Sequence, residues 1–181
     1  MDPKNIVDKD ASFFGQPGGL QTLFFTEMWE RMSYYGMRAL LVLFMTASMQ
    51  EGGLAITVAS ATAIYGLYTG AVYFMGLPGG WIADRLLGGQ RATWYGGIII
   101  MLGHIVLAIP SEASFFIGMI LVVLGTGLLK PNITAMVGQL YSSDDDRRDG
   151  GYTLYYMGIN IGSIIGYFVT GYLQENAGYH W

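Results

Sequence analysis

Apolar residues in this chain run in long blocks with short polar interruptions, unlike the strict alternation of half-buried strands. Five blocks reach the roughly 20 mostly apolar residues that a helix needs to cross a bilayer core. They cover 20–48, 57–83, 92–110, 114–141 and 151–173. The leading segment, 1–19, is polar, with a Pro-Gly-Gly turn expected at 17–19. It lacks the apolar stretch of a cleaved signal, so the first helix is expected to remain in the mature protein. Residues 174–181 read as a connection on the opposite side of the bundle.

Composition agrees with the pattern. The 181 residues are 52% hydrophobic and 12% charged, about half the charge of an ordinary soluble domain. An all-α membrane protein is therefore expected. Six of the nine Lys and Arg residues fall on one side: Lys4, Lys9, Arg85, Arg91, Arg147 and Arg148. The opposite connections carry Glu51, Glu112 and Glu175 but no cation. This positive-inside pattern predicts a multi-pass protein of the cell membrane with a cytoplasmic N-terminus. The absence of cysteine excludes thiol nucleophiles and thiolate metal sites. A net charge of −4 leaves no basic stripe, so nucleic acid is not an expected partner.

Glycine predicts how the helices pack, because small residues let backbones approach where lipid supplies no hydrophobic drive between helices. Gly158, Gly162 and Gly166 recur every fourth residue in the fifth helix; Gly66/Gly70 and Gly76/Gly80 do so in the second. The alternative is that these glycines are merely tolerated in lipid.

The remaining cations, Arg31, Arg38 and Lys130, lie inside predicted spans. In the first helix Glu27, Glu30, Arg31, Tyr34 and Arg38 share one face at helical spacing, with Tyr35 beside them. A charge at the bilayer centre costs about 2.5–3.5 kcal/mol on insertion scales. Such a face must look into a hydrated cavity or find partners. An ion pair serving only to hold helices together is the structural alternative, weakened because buried pairs rarely outperform apolar packing.

At 1.5 Å rise per residue, Arg31 and Lys130 each come out about 16 Å from the cytoplasmic helix end, Tyr73 about 15 Å and Asn160 about 13 Å. Four polar groups from four helices are thus expected in one layer near the midplane. Asn160 and Tyr156 lie away from the glycine edge and are expected to face the cavity. Lys130 precedes Pro131, which frees a carbonyl one turn earlier and can bend the helix. Broken helices at midplane point to transport sites.

These residues resemble a known family. Glu27-x-x-Glu30-Arg31 followed by Ser33-Tyr34-Tyr35-Gly36-Met37-Arg38 resembles the ExxER helix of the proton-dependent oligopeptide transporters, a branch of the major facilitator superfamily. Gly80-Trp-Ile-Ala-Asp84-Arg85 with Gly88 and Arg91 is similar to the superfamily's turn between helices 2 and 3. Gly125-Thr-Gly-Leu-Leu-Lys130-Pro131-Asn132 and Tyr155-Tyr156-Met-Gly-Ile-Asn160-Ile-Gly162-Ser163 look like its helices 4 and 5. Met32 departs from a position that is usually Phe, a matter of packing.

The resemblance implies the N-terminal part of a major facilitator fold, with five transmembrane helices present and the C-terminal half of the transporter missing. It implies proton-coupled symport of di- and tripeptides, with protons as coupling ion and no cofactor. Proton coupling would fall to Glu27, Glu30, Arg31 and Lys130. Arg31, Tyr34, Tyr35, Arg38, Tyr73, Lys130 and Asn160 would bind peptide. Lys130 is expected to pair with ionised Glu27 and to be released to a peptide carboxylate on protonation. Asp84 and Arg85 would order or gate the cytoplasmic turn, or simply pair at a helix end; Pro131, Gly158 and Gly162 would shape the bundle.

Two rivals remain open. A carrier of the same architecture could move nitrate or an amino-acid derivative. An intramembrane enzyme could use Glu27 and Glu30 as acid and base, but it would lack a nucleophile, metal motif or histidine partner. His104 is expected to be a hydrogen-bonded interior histidine, and 144–149 a solvated loop rather than a metal site.

Overall fold

The computed structural model describes residues 11–177. Lys4, Lys9 and Trp181 lie outside the described residues. A short antiparallel hairpin, β1 (Ala11–Phe13) with β2 (Gln16–Pro17), leads into helix α1 (Gly18–Thr46). Gly18 and Gly19 are thus the first residues of α1 rather than a turn. Pro17 ends the preceding extended segment, where its fixed φ suits a helix start.

Helix α2 runs over Val58–Leu87. Its first part, Val58–Phe74, joins Gly76–Ile82 through Met75 and ends in a π-helical turn, Ala83–Leu87. Gly88 then turns the chain at φ 77°, a backbone conformation open to glycine at little cost. Helices α3 (Gly89–Leu107), α4 (Glu112–Gln139) and α5 (Arg148–Ala177) follow. By length and composition α2 and α4 are apolar enough to cross a membrane. α1 carries Glu27, Glu30, Arg31 and Arg38 in a single helix.

Backbone contact between glycines organises the bundle. A Cβ on Gly158 would strike the Phe24 ring, one on Gly162 the Met28 carbonyl, and one on Gly166 the Met32 carbonyl. Both numbers rise together in steps of four, so α1 and α5 lie side by side and parallel. Gly96 opposes Gly125 and Gly103 opposes Gly118, which makes α3 and α4 an antiparallel pair.

The second helix differs from expectation. Gly66, Gly70, Gly76 and Gly80 have nothing within 4 Å of a would-be Cβ among the described residues. Its contact glycine is Gly79, seated against the carbonyl of Gly127 on α4. That is the carbonyl whose intrahelical donor Pro131 removes. α4 nonetheless runs as one helix through Pro131, so the freed carbonyl is turned to interhelical packing rather than to a break.

Two apolar clusters fill the interior. One gathers Leu41, Met45, Ala61, Tyr68, Phe115 and Met119. The other gathers Leu20, Leu23, Leu129, Ile133, Val137 and Tyr155. Along α1 the charged residues Glu27, Glu30 and Arg31 fall between the two sets.

Candidate functional site

The charged residues of α1 turn inward. Relative exposure is 0% for Glu27, 7% for Glu30 and 2% for Arg31. Spacing explains the arrangement: i,i+4 puts Glu27 one turn below Arg31 on the same face. Arg31 Nε lies 3.3 Å from Glu27 Oε1. The guanidinium also donates to both oxygens of Glu30, Nε to Oε2 and Nη2 to Oε1. The fork geometry of arginine suits two-pronged contact with a carboxylate. Glu30 therefore holds the arginine by hydrogen bonds. Glu27 contributes charge, and neither of its oxygens meets hydrogen-bond geometry among the described residues.

Aromatic rings cover the cation. The Arg31 guanidinium carbon stands 4.7 Å from the Tyr34 ring centroid and 5.9 Å from that of Tyr35, within cation–π range. Tyr34 stacks on Tyr68 of α2 at 6.4 Å. Two turns beyond Arg31, Arg38 donates to the Tyr65 hydroxyl and lies 5.3 Å from that ring. Tyr65 and Tyr68 carry no sequence signal of their own, because their role depends on the rotation of α2 against α1.

Lys130 projects from α4 into a cleft of about 320 Å³ between α2 and α4, with Tyr73, Thr126, Pro131 and Thr134 on its walls. Its Nζ is 5.5 Å from the Tyr73 ring centroid. The expected direct pairing of Lys130 with Glu27 is corrected: no ion pair within 4.0 Å joins them among the described residues, and Arg31 takes that place. Lys130 still lies within electrostatic reach of both carboxylates.

Other predicted residues stand apart. Asn160 is exposed on α5, and its amide donates to the Tyr156 carbonyl at 3.1 Å, a bond within its own helix. Nothing links it to Lys130 or Tyr73 among the described residues. Asp84 and Arg85 sit exposed in the π-helical turn without an ion pair among the described residues, so the helix-end pairing is not formed. The Nε2 atom of His104 is buried without a partner among the described residues, contrary to the expected hydrogen bond. It borders a larger apolar cavity of about 350 Å³ that contains none of the predicted site residues.

Of the 144–149 segment, Asp144 and Asp146 are exposed, as a solvated connection requires, and Arg148 already opens α5. Arg147 pairs with Asp145 at 2.8 Å and reaches the Gly15 carbonyl at 3.4 Å. These hydrogen bonds from Arg147 hold the Asp145 carboxyl below its usual range.

The site also contains residues that sequence reasoning passed over. Tyr155 on α5 is fully buried, within electrostatic reach of Glu27, and its hydroxyl is 3.2 Å from the Thr134 hydroxyl. Thr134 in turn donates to the Lys130 carbonyl at 3.1 Å.

A charged layer set in a glycine-packed helical bundle marks a helical membrane protein, and comparison with known proteins agrees. Residues 90–181 match the model of the POT family, and the chain belongs to that family. It is 50% identical over 173 residues to the peptide transporter YePEPT of Yersinia enterocolitica, covering 94% of this chain and 34% of that protein. It is 49% identical over 180 residues to a di-/tripeptide transporter of Lactococcus lactis, covering 98% of this chain and 36% of that protein. Among solved structures it resembles a mutant peptide transporter POT in complex with alafosfalin. The TM-score is 0.92 at 48% identity, over 99% of this chain and 38% of that one. The chain spans little more than a third of the length of the curated relatives it matches. It is an all-α membrane protein with the fold of the N-terminal part of a major facilitator.

Proposed function

We propose that this chain is the N-terminal part of a proton-coupled symporter that brings di- and tripeptides into the cell. The carrying observation is the buried Glu27–Arg31–Glu30 group one helix away from the cleft that holds Lys130. A carboxylate held in low dielectric beside fixed cations binds a proton more or less readily as the local charge changes. A peptide carboxylate arriving near Lys130 changes that charge, so cargo and proton occupancy become linked.

In this reading Glu27, Glu30, Arg31 and Lys130 couple the proton. Arg31, Arg38, Lys130 and the phenols of Tyr34, Tyr35 and Tyr73 receive the peptide, with Asn160 meeting it from the exposed face of α5. Backbone groups common to all short peptides are what these donors and acceptors recognise. Asp84, Arg85 and Pro131 shape the moving cytoplasmic end, while Gly158 and Gly162 bind α5 to α1 as one rigid pair. Protons enter with the gradient, whose electrical part supplies about 2.3 kcal/mol per charge per 100 mV. The cations at 85, 91, 147 and 148 support a cell-membrane protein with a cytoplasmic N-terminus. The protein's relatives, named as di-/tripeptide transporters, support the choice of cargo.

The test is competition for uptake by the full-length protein in liposomes under an inward proton gradient. Unlabelled di- and tripeptides should displace a labelled dipeptide, whereas free amino acids and nitrate should not. Displacement by nitrate or a free amino acid, but not by dipeptides, would replace this reading with that of another carrier.

A further inference from the structure

Glu27 is sealed from the cleft that holds Lys130, yet a proton must reach it if it is to titrate during transport. Two hydroxyl groups bridge the gap. Thr134 is half-buried and forms part of the cleft wall. Its hydroxyl is 3.2 Å from that of Tyr155, which is fully buried and within electrostatic reach of the Glu27 carboxylate. Glu27 Oε1 and Oε2 are both buried and neither meets hydrogen-bond geometry among the described residues, so the carboxylate can accept from a hydroxyl that rotates towards it. The titratable and charged groups that act on Glu27 are Glu30 and Arg31 from α1, Lys130 from α4 and Tyr155 from α5. Of these, Tyr155 alone is a neutral hydroxyl able both to accept and to donate a proton.

We propose that the hydrogen-bonded pair Thr134 and Tyr155 forms the path by which a proton passes between the Lys130 cleft and Glu27. The proposal rests on the symport reading above. A hydronium ion in the cleft gives a proton to Thr134 Oγ1 while Thr134 passes its own to Tyr155 Oη and Tyr155 passes its own to a Glu27 carboxylate oxygen. Both hydroxyls end neutral, the hydronium becomes water, and Glu27 gains one proton. Release runs in reverse. At present the Thr134 hydroxyl donates to the Lys130 carbonyl, so rotation of that one hydroxyl opens or closes the path. The competing acceptor for the Thr134 hydroxyl is the backbone of Lys130, which ties the state of the path to the part of α4 that would meet cargo. Tyr155 and Thr134 carry the proton, and neither needs to touch the peptide.

The experiment uses the full-length protein in liposomes and two assays: dipeptide uptake driven by a proton gradient, and counterflow exchange at equal pH on both sides. Tyr155→Phe keeps the ring and removes only the hydroxyl. It should slow driven uptake at least about tenfold, as expected when a positioned proton carrier is lost, while counterflow stays at the wild-type rate. Thr134→Val should behave alike, and Thr134→Ser, which restores a hydroxyl, should recover driven uptake. Driven uptake at the wild-type rate in Tyr155→Phe overturns the path. Parallel loss of both assays in Tyr155→Phe and Thr134→Val, with no recovery in Thr134→Ser, also overturns it in favour of a purely structural role. Absence of proton-driven uptake in the wild type is a separate outcome: it defeats the symport reading itself, and the path with it.

Discussion

Replacing Arg31 with methionine should expose how strongly the buried charges depend on one another. Arg31 is 2% exposed, 3.3 Å from Glu27 and doubly hydrogen-bonded to Glu30. At an effective dielectric of 20, the Glu27 contact alone has a gross attraction of about 5 kcal/mol. Its removal strands two buried carboxylates without their ion-pair partner. Truncating one member of a buried ionic group typically destabilises by about 3–5 kcal/mol. Arg31→Met should therefore lower the unfolding free energy of the full-length protein in micelles by about that amount. Glu27→Gln combined with Glu30→Gln and Arg31→Met should recover most of the loss, since no net charge then remains buried. Arg31→Lys should fall between, because an ammonium keeps the charge but cannot form the two-pronged contact. A loss under about 0.5 kcal/mol for Arg31→Met, the scale of an ordinary surface change, would refute the reasoning. So would a triple variant no more stable than the single one.

Two further outcomes follow from packing and from the cytoplasmic loop. Gly162→Val places a side chain on the Met28 carbonyl and should destabilise by about 1–3 kcal/mol or more; an unchanged thermal midpoint in detergent would contradict the α1–α5 contact. Arg147→Gln should free the 142–149 loop from the Gly15 carbonyl and raise its cleavage by protease at neutral pH. In the wild type the same loosening should come only in acid. The Asp145 carboxyl is held below its ordinary value of 3.8 by Arg147, so its contribution is present above that value and is lost as pH falls through the depressed one. Equal cleavage of variant and wild type at neutral pH would refute the latch.

Features confined to one helix could be read before any contact was known. Glu27, Glu30 and Arg31 had to share a face because three- and four-residue steps come round to the same side. The edge formed by Gly158, Gly162 and Gly166 follows from the same periodicity, and it does meet α1. Interhelical register was not legible in this way. Gly66 and Gly70 have the same spacing as the packing glycines but meet nothing within 4 Å among the described residues, while Gly79, outside the Gly76/Gly80 pair, lies against α4. The periodicity of one helix says nothing of the rotation and axial shift of its neighbour. Tyr65, Tyr68, Thr134 and Tyr155 escaped for that reason, each acquiring its role from a residue on another helix. The depth arithmetic brought Lys130 and Tyr73 together correctly. It could not show that Asn160 would bond within its own helix, or that Arg31 rather than Lys130 would hold Glu27.

The central claim is that Glu27 converts a proton gradient into peptide accumulation. Its most direct test compares wild-type and Glu27→Gln full-length protein in liposomes, following a labelled dipeptide under an inward proton gradient. The wild type should concentrate the dipeptide above its outside level and lose that ability with a protonophore. The variant should exchange dipeptide across the membrane without concentrating it. Accumulation by Glu27→Gln equal to the wild type, or wild-type accumulation indifferent to the protonophore, would contradict the account.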